Sequence, residues 1–321
     1  MKLQSVIYHD EIADASTYIF RDAVIRGLGA QPRRIPPKFF YDRRGSELFE
    51  AICRQPEYYL TRTELKILQN CAREVARLIG KDCVLIEFGS GASRKVRLLL
   101  ETLRPRAYAG VDISRNFLLE STRRLARDYP WLEVHAVCAD LCEPLAFSSL
   151  PEEAPRLGFY PGSSIGNFEP EAARDFLAGL RTVLGLGGAL LIGVDLKKDE
   201  QILTAAYNDA NGVTALFNLN LLQRLQRELR ASVNVTAFRH QAFYNPQDGR
   251  IEMHLVSTRP QYLRLDDIRF EFAEGESIHT ENSYKYSLNE FQSLAGDAGY
   301  EVIKTWTDPD QLFSVHYLEN Q

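Results

Sequence analysis

The sequence lacks the long apolar runs of membrane spans and the paired cysteines of disulfide frameworks or zinc sites. No stretch approaches the roughly 20 consecutive apolar residues of a membrane-spanning helix. The N-terminal stretch MKLQSVIYHDEIADAS has acids where a signal peptide needs an apolar block. The five cysteines are odd in number and form no CxxC pair. We therefore expect a cytoplasmic protein with reduced thiols and no membrane association.

Positive charge is also too scarce to suggest a nucleic acid partner. The formal net charge is -5 and the pI is near 5.8, so no basic surface for phosphate backbones is expected. The six histidines show no spacing typical of metal ligands, and no metal is predicted. With 321 residues, 45% of them hydrophobic, the chain can bury one large core or two smaller ones. We predict a globular monomer.

Strand and helix patterns alternate between residues 60 and 200. Thr61 and Glu64 fit a capping box that opens a helix ending at Gly80, and the apolar strand CVLIEF (83–88) follows. This alternation is typical of a parallel sheet with right-handed crossovers. The further predicted strands of this region are 107–113, 132–140, 158–168 and 189–196.

The C-terminal end of the chain is predicted to complete the same sheet. Ser287 and Glu290 form a second capping box, and the helix that they open stops near Gly299. The segments YEVIKTWTD and FSVHYLE then alternate as two closing strands.

Two regions do not fit that sheet and predict a second domain. One is residues 1–60; the other is 201–286, where the helical segment LFNLNLLQRLQREL precedes NVTAFRHQAFYN, GRIEMHLVST and LRLDDIRFEF, which alternate as strands. The predicted organisation is an α/β domain of residues 61–200 and 287–321, and a smaller α+β domain of residues 1–60 and 201–286.

The loop after the first strand indicates which ligand the sheet binds, because open α/β sheets bind ligands at the carboxyl ends of strands. The strand ends in EFGSG (87–91). A dinucleotide fingerprint needs glycine where Arg94 stands, and a P-loop needs Gly-Lys-Ser/Thr where the chain has Arg94-Lys95-Val96. The remaining interpretation is the acidic-x-Gly-x-Gly loop of S-adenosylmethionine enzymes.

Acids at the ends of the next two strands support this interpretation. Asp112 lies about 20 residues further on, where a carboxylate can accept the hydroxyls of an adenosine ribose. Asp140 and Leu141 follow the third strand, where an acid can meet the adenine amino group while leucine covers the ring. Each feature alone also fits a turn glycine or a helix cap. Together they favour a Rossmann-like class I methyltransferase sheet, parallel with an antiparallel end.

Longer motifs carry a resemblance over nearly the whole chain. The chain resembles the L-histidine Nα-methyltransferases of ergothioneine biosynthesis, which use S-adenosylmethionine to convert histidine to the trimethylated product hercynine. S-adenosylhomocysteine is the second product. The motifs are FFYDRRGSELFEAICRQPEYYLTRTE, EFGSGASRK, GVDIS, GSSIGNFEP, AYNDANGVTALFNLN, EMHLVS and GESIHTENSYKYS.

The resemblance implies a role for individual residues. It places Tyr41 beside the substrate amine, as the catalytic residue, and implies that Gly162 and Ser164 line the floor of the site. The residues that it assigns to the cofactor are Gly89, Lys95, Asp112, Asp140 and Leu141. Those that it assigns to the substrate carboxylate are Tyr58, Asn167 and Tyr207, and those around the imidazole are Met253, Glu281 and Ser283.

Alternatives to these roles remain open at the level of the sequence. Glu281 and Ser283 can each meet one nitrogen of an imidazole, which fixes its tautomer. However, Tyr58 also suits packing between domains, Asn167 a helix cap and Met253 core filling. A related enzyme acting on another amine, such as tryptophan, and a non-catalytic S-adenosylmethionine-binding module are the alternative functions.

Overall fold

The chain divides into two compact units. The computed structural model describes residues 6–10, 16–91, 93–141, 143, 150 and 154–321, so Cys142 lies outside the described residues. No helix in the described part of the chain is long and apolar enough to span a membrane. The sheet unit comprises Met1–Ile12, Leu60–Lys197 and Tyr284–Gln321, and the α+β unit comprises Ala13–Tyr59 and Lys198–Ser283.

An eight-stranded sheet, counted over the described residues, forms the sheet unit. Its order is β1-β4-β3-β2-β5-β6-β13-β12. The first six are parallel, whereas β13 runs antiparallel to both β6 and β12. This order confirms the predicted sheet, parallel with an antiparallel end. The strands, numbered in chain order through both units, are β1 (Ile7–Asp10), β2 (Val84–Phe88), β3 (Ala107–Asp112), β4 (Glu133–Cys138), β5 (Arg156–Tyr160), β6 (Ala189–Asp195), β12 (Tyr300–Thr307) and β13 (Phe313–Asn320).

Helices cover this sheet, and two of them pack with β2, β3, β5 and β6 in one apolar core. Every residue of β2 and of β6 is buried, as a sheet covered on both faces requires. The helices are α3 (Tyr59–Ile79), α4 (Val96–Leu103), α5 (Arg115–Asp128), α6 (Pro170–Leu184) and α9 (Leu288–Asp297), and those in the shared core are α6 and α9.

One of the two predicted capping boxes is present. At α9 the Ser287 side chain accepts the Glu290 N–H while the Glu290 carboxylate accepts the Ser287 N–H, as predicted. The box predicted at Thr61 is wrong, because α3 begins at Tyr59 and Thr61 lies inside it. Glu64 is fully buried instead of capping an exposed helix end.

In the described residues, the α+β unit combines helices with two small sheets. One sheet has the order β11-β8-β7, and the other is the hairpin β9-β10. The segment 263–272 was predicted as one strand, which is wrong: it turns at Asp266, whose φ of 52° is a left-handed turn conformation. The elements are α1 (Ser16–Gly29), α2 (Arg43–Ile52), α7 (Glu200–Ala206), α8 (Val213–Leu229), β7 (Phe238–Asn245), β8 (Arg250–Ser257), β9 (Gln261–Leu265), β10 (Ile268–Phe272) and β11 (Ser277–Tyr284).

The predicted domain boundaries differ from this division at the N-terminus. Residues 1–60 were assigned to the second domain, but β1 pairs in parallel with β4 from Ile7 to Asp10 and so belongs to the large sheet. A four-residue strand with no neighbouring pattern gives too little periodicity to be placed from sequence.

A buried ion pair fixes the end of β6. Lys285 Nζ lies 2.7 Å from Asp195 Oδ2, and both side chains are fully buried. The Tyr286 N–H donates to the Asp195 carbonyl at 3.2 Å, so this pair lies where the chain returns to the sheet unit. Removing one partner of such a pair leaves an uncompensated buried charge, which costs about 3 to 5 kcal/mol.

We predict that Lys285→Met lowers the free energy of unfolding by roughly that 3 to 5 kcal/mol. Urea denaturation followed by circular dichroism measures it. Lys197→Met is the matched control, because it removes the same group from a half-exposed pair with Glu290 and should cost under about 1 kcal/mol. Equal losses in the two variants would show that burial of the Lys285 pair does not matter.

Candidate active site

The glycine loop after β2 leaves open space where a ligand can approach the backbone. Gly89 and Gly91 have φ angles of +72° and +47°, a region that favours glycine. A Cβ added at Gly89 would meet nothing within 4 Å. Between the glycines, the Ser90 Oγ is buried without a hydrogen-bond partner among the described residues. An orphaned hydroxyl beside open backbone fits a cofactor-binding loop.

Asp112, at the end of β3, holds this loop in place. One carboxylate oxygen accepts the Gly91 N–H at 2.9 Å, and the other accepts the Ser114 N–H at 2.9 Å. Burial raises the pKa of Asp112, and these backbone donors oppose that effect. Each oxygen keeps a second lone pair, so the predicted contact with ribose hydroxyls is compatible with this arrangement.

The predicted adenine residues follow β4. Asp140 and Leu141 are both partly buried, and Leu141 packs against the apolar core of the sheet unit. The Asp140 carbonyl accepts the Glu143 N–H at 3.0 Å. The loop that follows is mostly outside the described residues, and a contact of these two side chains with adenine stays a prediction.

A buried carboxyl lies beneath the glycine loop. Glu87 is the last residue but one of β2, and it accepts a hydrogen bond from the Tyr108 hydroxyl at 2.6 Å. Burial raises the pKa of Glu87 to about 8, against the effects of Tyr108 and Lys95, which lower it. Tyr108 also lies 3.3 Å from Ser93 Oγ. Glu87 therefore carries a proton at neutral pH and ties the base of the loop to β3.

Glu64 joins the loops after β2 and β5. Lys95 Nζ donates to Glu64 Oε2 at 2.5 Å, and the Gly162 N–H lies 3.0 Å from both carboxylate oxygens. The Glu64 side chain is fully buried, while 17% of the Lys95 side chain is exposed. The predicted cofactor residue Lys95 and the predicted floor residue Gly162 therefore share one carboxylate.

The remaining predicted residues of the sheet unit lie on a short 3₁₀ helix, Ser164–Asn167, after β5. This segment was predicted as strand, but the strand ends at Tyr160. The preceding Ser163 has a φ of 59°, and its Oγ accepts the Asp195 N–H at 2.9 Å. Gly166 lies against another segment, because an added Cβ would be 2.6 Å from the Tyr284 carbonyl oxygen.

An aromatic cluster in the α+β unit contains the predicted tyrosines. Tyr41 meets Phe49 and Phe217 edge to face at centroid distances of 5.7 Å. Tyr58 meets Phe49 and Tyr207 in the same manner, both at 6.3 Å. Burial raises the pKa of Tyr58 well above its ordinary value, and the nearby Tyr207, Tyr41 and Glu281 add to that rise. The structure therefore brings together residues that the sequence separates widely.

The β11 strand carries the predicted imidazole residues beside this cluster. The Tyr207 hydroxyl donates to Ser283 Oγ at 2.8 Å, and both side chains are buried. Glu281 is partly buried and contributes to the pKa of Tyr58. Met253 is buried on the neighbouring strand β8, where its carbonyl accepts the Thr280 hydroxyl at 3.0 Å.

Asn218 supports these strands and was missed from the sequence. It is fully buried on α8, where its Oδ1 accepts the Thr280 hydroxyl at 2.9 Å and its Nδ2 donates to the His254 carbonyl at 3.1 Å. The same Nδ2 lies 2.9 Å from His240 Nδ1, and His240 Nε2 donates to the Tyr207 carbonyl at 2.9 Å. Burial lowers the pKa of His240, which favours this neutral form. The sequence signal that could have identified Asn218 is an asparagine on the apolar face of the predicted helical segment LFNLNLLQRLQREL.

Three groups that could ligate a metal also converge, although sequence spacing predicted no metal site. Ligand atoms of Glu252, His254 and His279 lie within 4.8 Å of one another. Arg250 already pairs with Glu252 at 2.8 Å, and hydrogen bonds and this guanidinium lower the pKa of Glu252 to about 2. The two imidazoles stack with planes 12° apart, so their in-plane lone pairs do not converge. We interpret the cluster as a charge network.

Comparison with known proteins decides the family. A family model described as "Histidine-specific methyltransferase, SAM-dependent" matches residues 20–320. The chain belongs to this family. This confirms both the predicted family and the prediction of an S-adenosylmethionine-dependent enzyme.

Curated relatives in the family extend over most of the chain. The chain is 40% identical over 303 residues to "Histidine N-alpha-methyltransferase" of Mycolicibacterium smegmatis, covering 92% of this chain and 94% of the relative. It is also 40% identical over 301 residues to the Mycobacterium tuberculosis protein of the same name, covering 92% and 93%. "Ergothioneine biosynthesis protein 1" of Neurospora crassa is 34% identical over 300 residues, which cover 89% of this chain and 33% of that protein.

The raised pKa of Glu87 predicts a pH dependence of stability. The folded chain binds this proton up to about pH 8, whereas an unfolded glutamate releases it near pH 4.3. Stability from this carboxyl is complete below the unfolded pKa and is lost as pH rises through the folded pKa. Glu87→Gln should therefore gain stability relative to the unmodified chain from pH 5 to 8, by at most about 1.4 kcal/mol per pH unit.

Urea midpoints at several pH values measure this difference. Glu120→Gln, at an exposed position on α5, is the control and should follow the unmodified protein at every pH. If the urea midpoint of Glu87→Gln changed with pH in the same way as that of the unmodified protein, the raised pKa of Glu87 would be contradicted.

Proposed function

We propose that the protein transfers methyl groups from S-adenosylmethionine to the α-amino group of L-histidine. Three successive transfers would give Nα,Nα,Nα-trimethyl-L-histidine, hercynine, as the first step of ergothioneine biosynthesis. The observation that carries the proposal is the family match over residues 20–320. The grouping of Tyr58, Tyr207, Glu281 and Ser283 in one unit supports it. Monomeric state, cytoplasmic location and lack of metal or nucleic acid partners stay predictions.

The cofactor residues of the sheet unit fit S-adenosylmethionine. When bound, it supplies a methyl group on a positively charged sulfur. The open backbone at Gly89 admits the ligand closely, and Asp112 can accept ribose hydroxyls while it holds Gly91. The Lys95 ammonium can bind the cofactor carboxylate, which is the anionic group of that molecule. Asp140 and Leu141 are expected at the adenine.

Histidine recognition depends on two residues of β11. Glu281 accepts the imidazole N–H, and Ser283 meets the other ring nitrogen. Because Ser283 Oγ accepts the Tyr207 hydroxyl at 2.8 Å, its own hydroxyl is oriented to donate to an unprotonated ring nitrogen. A substrate without this donor and acceptor pair leaves buried groups unpaired, which can discriminate by about 10⁴-fold.

Catalysis on this proposal comes from positioning the substrate amine. Tyr41 is expected to accept an amine N–H, which turns the amine lone pair toward the methyl group. Tyr58, Asn167 and Tyr207 are expected around the substrate carboxylate, where Tyr58 and Asn167 can donate hydrogen bonds, because the Tyr207 hydroxyl hydrogen is directed to Ser283 Oγ. Fixing two reactants in line is worth on the order of 7 to 11 kcal/mol. The tyrosine rings tolerate growing positive charge on the amine through cation–π attraction of about 0.5 to 2 kcal/mol. A strong general base is therefore not required.

A product analysis tests reaction and substrate together. We expect purified protein incubated with S-adenosylmethionine and a mixture of the common amino acids to add three methyl groups to histidine, as seen by mass spectrometry. The remaining amino acids should stay unchanged. Methylation of tryptophan or of another amine, with histidine untouched, would overturn the substrate assignment. Lack of any methylated product together with tight cofactor binding would favour a non-catalytic binding module.

Substitution of Glu281 tests the imidazole contact. We predict that Glu281→Ala lowers kcat/KM for histidine about 10- to 100-fold, the worth of a hydrogen bond to a charged group. The Kd of S-adenosylhomocysteine should stay within about 2-fold of the unmodified value, because Glu281 is assigned to the imidazole and not to the cofactor. An equal loss of histidine use and of cofactor binding would indicate a general defect. Glu274→Ala, at an exposed position before β11, is the control. Parallel loss of histidine use and cofactor binding would remove the role of Glu281.

A further inference from the structure

We propose that Glu64 is a positioning residue for the cofactor, which acts by holding the Lys95 ammonium where it binds the cofactor carboxylate. The inference rests on the proposed use of S-adenosylmethionine and adds a residue outside the predicted site. Glu64 was interpreted from sequence as part of a helix cap, and the structure gives it different partners.

The first argument is the geometry of the carboxylate. Glu64 lies on α3, Lys95 immediately precedes α4, and Gly162 follows β5. The ammonium donates to Glu64 at 2.5 Å, and the Gly162 N–H approaches both oxygens at 3.0 Å. Because β2 and β5 are neighbours in the sheet, one carboxylate fixes the loops that follow two adjacent strands.

The second argument is that the surrounding backbone makes room for this carboxylate. Gly193 lies in the middle of β6, where glycine lowers the stability of a strand and therefore needs a local explanation. A Cβ added there would lie 2.1 Å from Glu64 Oε1. At Gly162, an added Cβ would lie 3.3 Å from Lys95 Nζ. Gly193 therefore leaves room for the carboxylate, whereas the φ of +82° at Gly162 favours glycine by itself.

The third argument is the cost of burial. Burying an ion costs several kcal/mol, and a buried ion pair is often no more stabilising than apolar side chains of similar volume, so stability alone does not explain Glu64. Lys95 is the partly exposed member of the pair, and its ammonium carries three donors. Glu64 accepts one of them, which leaves the two others for a ligand. A carboxylate is the ligand group that an oriented ammonium recognises.

The arrangement gives a test that separates positioning from structure. S-adenosylhomocysteine carries the amino-acid carboxylate, whereas 5′-methylthioadenosine keeps the adenosine and sulfur but lacks that group. We expect Glu64→Gln to weaken binding of S-adenosylhomocysteine about 10-fold, because the loss of the charged acceptor that holds Lys95 in place outweighs the loss of repulsion between Glu64 and the ligand carboxylate. Binding of methylthioadenosine should change by less than about 2-fold, because it does not use Lys95. Isothermal titration calorimetry measures both.

Double substitution tests whether Glu64 acts through Lys95. Glu64→Gln in a Lys95→Ala background should add less than about 2-fold to the loss from Lys95→Ala alone, since coupled residues are not additive. The control is Glu74→Gln on the same helix, which breaks a partly exposed pair with Lys304 at 3.2 Å and should leave both ligands unaffected. If Glu64→Gln does not fold, Glu64→Asp draws the charge back by one methylene and should give the same ligand selectivity.

Three results would overturn the inference. Equal loss of both ligands would mean a structural role, unchanged binding of both would mean no role, and additive losses would separate Glu64 from Lys95. Failure of the unmodified protein to bind S-adenosylhomocysteine would instead overturn the proposed function, on which the inference about Glu64 rests.

Discussion

Acids that are buried or partly buried near the carboxyl ends of the parallel strands impose the main physical constraint on the sheet unit. A carboxylate taken out of water must be paired, protonated or surrounded by donors, because an isolated buried charge is too costly to keep. The unit meets this requirement differently at each position. Glu64 and Asp195 pair with lysines, Glu87 keeps its proton, and Asp112 accepts backbone N–H groups.

The same interactions also position the loops that carry the predicted cofactor residues. Asp112 fixes Gly91, and Glu64 fixes Lys95 and Gly162, so each compensated charge places a part of the predicted site. The charges are also coupled. Lys95 lowers the pKa of Glu87, while Asp112 and Glu64 raise it. Loss of the Lys95 charge would therefore raise the pKa of Glu87 further, so a substitution at one of these positions alters the others.

The sequence predicts the parts of this arrangement that follow local patterns. Buried strands, the glycine loop and the acids at strand ends are visible because periodicity and spacing mark them. Glu64 was misassigned because Thr61 and Glu64 match a capping box, whereas its partners lie 31 and 98 residues away in the chain. The strand β1 was missed because its only partner in the described sheet is β4, far along the sequence. Long-range pairing leaves no local signal.

The histidine recognition proposed for the α+β unit would depend on a scaffold that is polar as well as apolar. Discrimination by hydrogen bonds requires that donors and acceptors stay where the substrate needs them, since mobile groups would re-pair with a wrong ligand. Asn218 restrains β8, β11 and, through His240, the Tyr207 backbone. An apolar residue at this position would fill the same space but leave the Thr280 hydroxyl with one partner fewer and His240 Nδ1 without its donor. The buried Asn218 amide therefore fixes the direction of its hydrogen-bond partners, which apolar packing does not, and the proposed specificity requires such fixed directions.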